Sequence, residues 1–239
     1  MTELLYQTDS YIQEFEAAVT SVLPEERAVV LDRTAFYPGG GGQPCDLGSL
    51  RVDDVVYPVE KVRKQGDDVL HFLGGSASLP LTGSASRGTL DWARRYRLMR
   101  THTALHVLCG TVFRDYGASV TGGDMEPLKG RMDFEFETMR GELVREIEAA
   151  VNKEVQANRE IRVKILPREE AFKIPDLIRT KINLLPEGIM QVRTVEIVGL
   201  DLQADGGTHV RNTSEVGRVR IADYKSKGAI NKRIYIEVE

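Results

Sequence analysis

Short apolar runs separated by turn residues fill the first ninety positions and constrain the fold more than any other feature. Runs at 19–22 and 28–31 flank the turn signal Pro24-Glu25-Glu26, and later runs are interrupted at Asp53-Asp54 and Gly74-Gly75. Strands at this spacing, with Gly and Pro between them, predict a small β-barrel or β-sandwich.

The remainder of the chain mixes helical and strand-like patterns. Residues 94–113 lack proline and predict a helix, and apolar residues recur every four positions within 139–159, which predicts another. Strands are indicated at 161–166, 190–200, 216–224 and 233–238, the last two as an antiparallel pair. The fold class is therefore α+β. Because residues 82–90 are small and polar, we expect a boundary there, between domains at 1–88 and 89–239.

Length and composition exclude several classes of protein. The 239 residues allow one or two domains, and 41% apolar with 28% charged residues is ordinary for a globular protein. No apolar run approaches the roughly 18 residues of a membrane span, and the first ten residues show no secretory pattern. Cys45 and Cys109 are the only cysteines, which excludes a disulfide framework and favours a reducing cytoplasm.

The charge is unevenly distributed along the chain. The net charge is −4, but residues 1–90 hold 7 basic and 13 acidic side chains, and basic clusters occur at 94–100 and 211–233. Such clusters are typical of a surface that contacts phosphates, although each taken alone is more often a solvated face.

Two histidines lie four residues apart in the predicted first helix. His102 and His106 would lie on one helical face, where two imidazoles can bind one ion at about 2.0–2.1 Å, the distance for zinc. A surface pair explains this spacing equally well. Thr103 occupies the position of the general-base Glu of zincin proteases, so a peptidase of that type is disfavoured.

A distant segment supplies a third histidine and an oxygen ligand. Asp205 and His209 flank Gly206-Gly207, which allows unusual backbone conformations, and Gln203 precedes them as a candidate substrate-binding residue. Three histidines and a carboxylate fit zinc, whereas the alternative is that this segment only shapes a turn.

The other two candidate ligands are expected to be structural. Cys109 lies seven residues after His102, about 10.5 Å along a helix, which is too far for both to bind one ion with His106 between them. His71 lies within a strand-like apolar run, so it is expected in the barrel or sandwich.

Four consecutive glycines, 39–42, stand between Pro38 and Gln43-Pro44. A functional interpretation is a rigid loop whose backbone N–H groups approach a substrate. Because no Lys-Ser/Thr pair follows, it is not a Walker A motif. A flexible linker is the alternative, and the flanking prolines favour the rigid loop.

Three motifs occur in order along the chain: FYPGGGGQ at 36–43, HTALH at 102–106 and DGGTH at 205–209. Together they resemble the AlaX family of alanyl-tRNA editing proteins, freestanding relatives of the editing domain of alanyl-tRNA synthetase. The similarity extends over nearly the whole chain and is nearer to the medium-length AlaX-M subgroup.

The resemblance implies a trans-editing hydrolase that deacylates mischarged tRNA(Ala), chiefly Ser-tRNA(Ala) and also Gly-tRNA(Ala). It implies an N-terminal barrel and an α+β editing domain with a central antiparallel sheet. It also implies zinc held by His102, His106 and His209, contact of Thr34 with the serine hydroxyl, and contact of Gly39, Gly40, Gly41, Gly42 and Gln43 with the tRNA acceptor end.

The chain departs from the family at one ligand. The family motif usually has cysteine where this chain has Asp205. A carboxylate can bind zinc at about 2.0–2.2 Å, so Asp205 is either the fourth ligand, an outer partner of the ligands, or a catalytic base. Two other functions stay open: a zinc hydrolase of a small ester or amide, and a non-catalytic tRNA-binding module.

The implied role of Thr34 gives a first prediction. Because an unpaired hydroxyl partner in a pocket costs about 1–3 kcal/mol, Thr34→Val should weaken the preference for serine over alanine. Deacylation rates of Ser-tRNA(Ala) and Ala-tRNA(Ala) measure this. An unchanged ratio in a folded variant would remove Thr34 from the pocket.

Overall fold

The computed structural model describes residues 1–178 and 188–239, and the chain divides into two compact units, Met1–Tyr96 and Arg97–Glu239. The predicted α+β class is confirmed. The domain boundary expected between residues 88 and 89 stays a prediction. Within the described ranges, no helix combines the length and the hydropathy that crossing a membrane requires.

The first unit contains a closed antiparallel barrel. The strands of this unit are β1 (Glu3–Leu4), β2 (Glu14–Leu23), β3 (Ala28–Leu31), β4 (Arg33–Thr34), β5 (Gly48–Val52), β6 (Val55–Gln65), β7 (Asp68–Leu73) and β8 (Ala85–Leu90). The order around the barrel is β2-β3-β7-β6-β5-β8, and β1 pairs in parallel with β4 outside it. Of the two architectures that the strand pattern allowed, the protein adopts the barrel.

Alternation of buried and exposed residues explains the longest strand. Tyr57, Val59 and Val62 of β6 are buried in the barrel core. The alternation shifts by one residue because the pairing with β7 slips between Val59 and Lys61, as at a β-bulge. The strand therefore keeps the side chains of Tyr57, Val59 and Val62 inside the barrel on both sides of the shift, while Val55 and Val56 at its start are exposed.

Residues 82–90, where the domain boundary was expected, contain β8 (Ala85–Leu90), which closes the barrel between β2 and β5. A Cβ added at Gly88 would stand 2.4 Å from Phe15 Cε1. Gly88 therefore leaves room for a large ring from the neighbouring strand.

A buried ion pair closes the base of the glycine-rich loop. Arg95 is fully buried; its Nε donates to both oxygens of Asp46 at 2.9 and 3.0 Å, and its Nη2 donates to Ala35 O at 2.6 Å. Asp46 also accepts the Tyr37 N–H at 2.6 Å. The expectation that the basic cluster 94–100 contacts phosphates is therefore wrong for Arg95.

The second unit combines helices with two antiparallel sheets. The helices are α1 (Trp92–Tyr116), which begins in the first unit, α2 (Gly141–Gln156) and α3 (Arg168–Ala171). The strands are β9 (Val120–Glu126), β10 (Lys129–Glu135), β11 (Ile161–Pro167), β12 (Gln191–Ile197), β13 (Asp201–Ala204), β14 (Val219–Ser226) and β15 (Asn231–Val238). The sheet orders are β14-β15-β10-β9 and β11-β12-β13, and β14 and β15 form the predicted antiparallel pair.

Local signals fix both ends of α1. The carboxylate of Asp91 accepts the Arg94 N–H at 3.0 Å, which caps the first turn. At the other end, the Gly117 N–H donates to Phe113 O, and Gly117 has φ +65°, the left-handed conformation that favours glycine after a helix.

Two of the basic residues in 211–233 are structural. Lys232 is buried, and its Nζ donates to Gly228 O and Ala229 O at 2.8 Å each. Arg233 donates to both oxygens of Asp133 at 2.6 and 2.7 Å. Neither side chain is therefore placed for a phosphate contact.

The buried pair predicts a stability difference. Arg95→Met leaves Asp46 charged in the interior, so we expect the free energy of unfolding to fall by roughly 3–5 kcal/mol. The control is Arg87→Met, which breaks the exposed pair with Glu14 and should cost about 0–1 kcal/mol. Urea unfolding followed by circular dichroism measures both, and equal effects of the two variants would contradict the prediction.

Candidate metal centre

The second unit brings three histidines from two remote segments together. His102 and His106 lie one turn apart on α1, and His209 lies in the loop after β13. The ring centroid of His209 is 4.3 Å from that of His102 and 4.7 Å from that of His106. All three rings are at least nine-tenths buried.

The carboxylate of Asp205 lies among the three rings. Its Oδ1 is 3.5 Å from His102 Nε2 and 4.0 Å from His106 Nε2, and its Oδ2 is 3.0 Å from His209 Nε2. One candidate ligand atom from each of the four residues can be chosen so that all lie within 4.8 Å of one another. Among the described residues, this is the cluster of metal-binding side chains that the fold assembles.

Backbone contacts hold Asp205 in place. Its Oδ2 accepts the Gly207 N–H at 2.8 Å, and its carbonyl oxygen accepts Arg193 Nη1 of β12 at 2.9 Å. Neither Gly206 nor Gly207 has a positive φ, so the expectation of an unusual backbone at this pair is wrong. Instead, the hydrogen bond from the Gly207 N–H to the Asp205 carboxylate closes a tight turn.

Two of the rings also have a polar neighbour at Nδ1, the nitrogen on the side away from Asp205. Thr103 Oγ1 is 3.2 Å from His209 Nδ1, and Asp201 Oδ2 is 3.6 Å from His106 Nδ1. When Nδ1 carries the proton, the Nε2 lone pair is left for a ligand. Such partners are the usual arrangement behind histidines that bind a metal.

Burial and charge set the protonation of the cluster. Burial lowers the pKa of His102 well below its usual value and the pKa of His209 to about 4. Burial also opposes a proton on His106, but Asp201 and Asp205 outweigh it and raise the pKa of that ring. Burial alone would raise the pKa of Asp205, yet the surrounding imidazoles hold it well below its ordinary range.

This donor set fits a divalent transition metal. An ionised carboxylate and neutral imidazoles are the forms in which these side chains bind a metal. In a tetrahedral site with bonds of about 2.1 Å, ligand atoms lie about 3.4 Å apart. The four candidate atoms lie within 4.8 Å of one another, so small side-chain movements, of roughly 1.4 Å at most, would bring them to that spacing. Imidazole with carboxylate suits zinc and its neighbours in the first transition row.

Two other candidates lie behind the cluster. Gln203, predicted to contact substrate, donates through Nε2 to Asp201 Oδ2 at 2.5 Å and to Cys109 Sγ at 3.3 Å. Cys109 is buried, as expected of a core residue. In this arrangement Gln203 supports Asp201, and its contact with substrate stays a prediction.

The glycine-rich loop of the first unit forms a closed hairpin. Gly40 and Gln43 exchange backbone hydrogen bonds of 3.0 and 2.9 Å across Gly41 and Gly42. The φ values of +57° and +87° at those two residues match a type I′ turn, which explains why glycine is needed there. Gly39 and Gly40 also have positive φ, and the Gln43 side chain is buried. The loop therefore adopts a defined, hydrogen-bonded hairpin, and its contact with a substrate stays a prediction.

Thr34 lies in the barrel unit with its hydroxyl fully buried. Its Oγ1 accepts the Phe36 N–H at 3.1 Å and lies 2.8 Å from His71 Nε2. His71 is likewise buried, near Val29 O, in the structural position expected for it. Contact of Thr34 with a substrate hydroxyl stays a prediction and requires the loop around it to rearrange.

The sequence did not by itself identify three residues that contact the candidate ligands: Asp201, Thr103 and Arg193. Asp201, Gln203 and Asp205 alternate along the segment that enters the loop, and this alternation could have placed Asp201 on the ligand side. In the sequence, Thr103 is distinguished only by its position, which corresponds to the general base of zincin proteases. Arg193 gave no signal, because it reaches Asp205 only through the pairing of β12 with β13.

Comparison with protein families matches two segments. Residues 5–94 match the model described as tRNA synthetases class II (A), and residues 192–235 match the threonyl and alanyl tRNA synthetase second additional domain. The second segment includes Asp205 and His209.

Full-length relatives decide the family. The chain is 40% identical over 243 aligned positions to the alanyl-tRNA editing protein AlaX-M of Saccharolobus solfataricus, covering 100% of both chains. It is 40% identical to the protein of the same name from Methanosarcina acetivorans, covering 98% of each. The chain belongs to the AlaX-M family.

The AlaX-M chain is also similar to part of a larger enzyme. It is 39% identical to the alanine–tRNA ligase of Ignicoccus hospitalis over 92% of its own length but only 24% of the ligase. Both helical histidines of this AlaX-M chain lie outside the two matched family models, within the full-length match.

The geometry predicts that the charge of Asp205 matters for metal binding. Asp205→Asn should weaken zinc binding well beyond the about 10–100-fold lost with an outer hydrogen-bond partner. Asp205→Cys restores an anionic ligand and should retain tight binding. Competition with a chromophoric chelator gives the affinities, and wild-type affinity in Asp205→Asn would place Asp205 outside the ligand set.

Proposed function

We propose that this protein is a zinc-dependent trans-editing hydrolase that deacylates mischarged tRNA(Ala), chiefly Ser-tRNA(Ala) and also Gly-tRNA(Ala). The observation that carries the proposal is the convergence of three buried imidazoles on the Asp205 carboxylate. The names of the full-length relatives support the substrate. The proposal implies a cytoplasmic setting, since aminoacylated tRNA is made and used there.

His102, His106, His209 and Asp205 would hold the ion. When bound, zinc supplies a Lewis acid that can polarise an ester carbonyl and lower the pKa of a coordinated water to about 7. Hydrolysis of an aminoacyl ester needs both an activated carbonyl and a positioned water, so this chemistry suits the proposed reaction.

We assign Asp205 to the ligand set through Oδ1. Its Oδ2 is held by the Gly207 N–H, whereas Oδ1 faces His102 and His106. Because Oδ2 is held by the backbone and Oδ1 faces the two imidazoles, the carboxylate is arranged to bind a metal through Oδ1 alone. This assignment leaves the role of general base to another group or to the substrate.

Arg193 adds a buried positive charge beside the centre. Its Nη1 lies 3.7 Å from Asp205 Oδ2 while donating to the carbonyl oxygen of the same residue. In the proposed reaction, Arg193 fixes the loop that carries Asp205 through its hydrogen bond to the Asp205 carbonyl oxygen.

The tRNA acceptor end is the proposed partner. Among the basic residues of 211–233, Arg218 and Lys227 are exposed and remain candidates for phosphate contacts, while Lys232 is buried. The glycine hairpin remains the proposed contact for the acceptor end: its tip at Gly41 is exposed, and a side chain added there would meet nothing within 4 Å.

Deacylation assays test the proposal. We expect hydrolysis of Ser-tRNA(Ala) and Gly-tRNA(Ala) with sparing of Ala-tRNA(Ala), loss of activity with a chelator, and recovery when zinc is restored. His209→Gln should abolish activity because it removes a ligand, and Asp223→Asn, which removes an exposed carboxylate on β14, should retain it.

The outcomes separate the rival functions. Hydrolysis of small aminoacyl esters without activity on aminoacyl-tRNA would favour a small-ester hydrolase. Binding of tRNA with neither zinc nor deacylation would favour a non-catalytic binding module.

A further inference from the structure

A second carboxylate stands behind the cluster, on the side of His106 away from Asp205. The Asp201 side chain is fully buried, and its Oδ2 lies 3.6 Å from His106 Nδ1. The opposite nitrogen of the same ring, Nε2, faces Asp205 Oδ1 at 4.0 Å. His106 is therefore bracketed by carboxylates on its two ring nitrogens.

Three contacts fix where this carboxylate points. Gln203 Nε2 donates to Asp201 Oδ2 at 2.5 Å and to Cys109 Sγ at 3.3 Å, so the amide links the strand to α1. A Cβ added at Gly110 would stand 2.8 Å from Asp201 Cβ. The helix thus approaches the strand closely at the residue that carries the carboxylate, and a bulkier residue at 110 would displace it.

A carboxylate in this place has a defined effect on an imidazole. It favours the tautomer with the proton on Nδ1, which leaves the Nε2 lone pair toward Asp205, and it makes that nitrogen a stronger donor. The other ring with a polar neighbour at Nδ1 is His209, and that neighbour is the neutral Thr103 hydroxyl. Of these two rings, only His106 therefore has a carboxylate near its Nδ1, in addition to the Asp205 carboxylate that faces the Nε2 of both.

We propose that Asp201 is a positioning residue that fixes the tautomer and orientation of His106, and thereby sets the affinity of the centre for a divalent metal. The inference rests on the proposed assignment of His106 as a ligand. Gln203 and Gly110 act through Asp201, the first by hydrogen bonding to its carboxylate and the second by leaving room for it.

The test measures metal affinity without tRNA. Zn²⁺ and Co²⁺ are titrated into metal-free wild type, Asp201→Asn and the control Asp223→Asn in competition with a chelator. We expect Asp201→Asn to bind both ions about 10–100-fold more weakly and Asp223→Asn to match wild type. A change in the visible spectrum of the Co²⁺ form of Asp201→Asn would show altered ligand geometry, which a purely structural role would not produce.

A second measurement does not depend on a variant. Long-range ¹⁵N–¹H spectra of the wild-type imidazoles report the His106 tautomer in the zinc form, and we expect the proton on Nδ1. A proton on Nε2, or Asp201→Asn with wild-type affinity and native circular dichroism, would overturn the inference. Wild type that binds zinc tightly but does not deacylate Ser-tRNA(Ala) would contradict the proposed function and leave the inference standing.

Discussion

The candidate centre depends on the close approach of one helix to one strand. α1 carries two imidazoles on one face, and β13 leads into the loop that carries Asp205 and His209. The two elements can meet because Gly110 presents no side chain where Asp201 packs. On the other sheet, Gly130 of β10 similarly makes room for Leu105 of α1. Glycine at these contacts lets the helix lie near both sheets of its unit.

Placing so many polar groups in the interior is costly unless each has a partner. The centre meets this requirement by sharing partners: Asp205 contacts imidazoles and the Gly207 N–H, and Asp201 is held by Gln203. Burial lowers the pKa of His102 and His209, and the imidazoles lower the pKa of Asp205, so these three side chains are held in the forms that bind a metal, whereas Asp201 and Asp205 raise the pKa of His106. The same burial that makes these polar groups costly also lowers the pKa of His102 and His209, which suits them to bind a metal.

The barrel unit uses buried polarity differently. Arg95 and Asp46 fasten the base of the glycine hairpin, and Thr34 with His71 forms a buried hydrogen-bonded pair. The hairpin is therefore held by hydrogen bonds at its base and by a type I′ turn at its tip. A loop held in this way loses little entropy when it contacts a ligand, which is consistent with the role proposed for it.

The sequence by itself determined the class of fold and most helices and strands, because periodicity is local. It also identified four candidate ligands, His102, His106, Asp205 and His209, because two short motifs contain them. It did not predict that the small polar segment 82–90 contains a strand of the barrel, in which Gly88 packs against Phe15. Only the tertiary structure decided which groups stand behind the ligands and that Arg95 is buried, because these depend on contacts such as Arg95–Asp46 and Asp201–His106. Such pairs are 49 and 95 residues apart, respectively, and no local pattern encodes them.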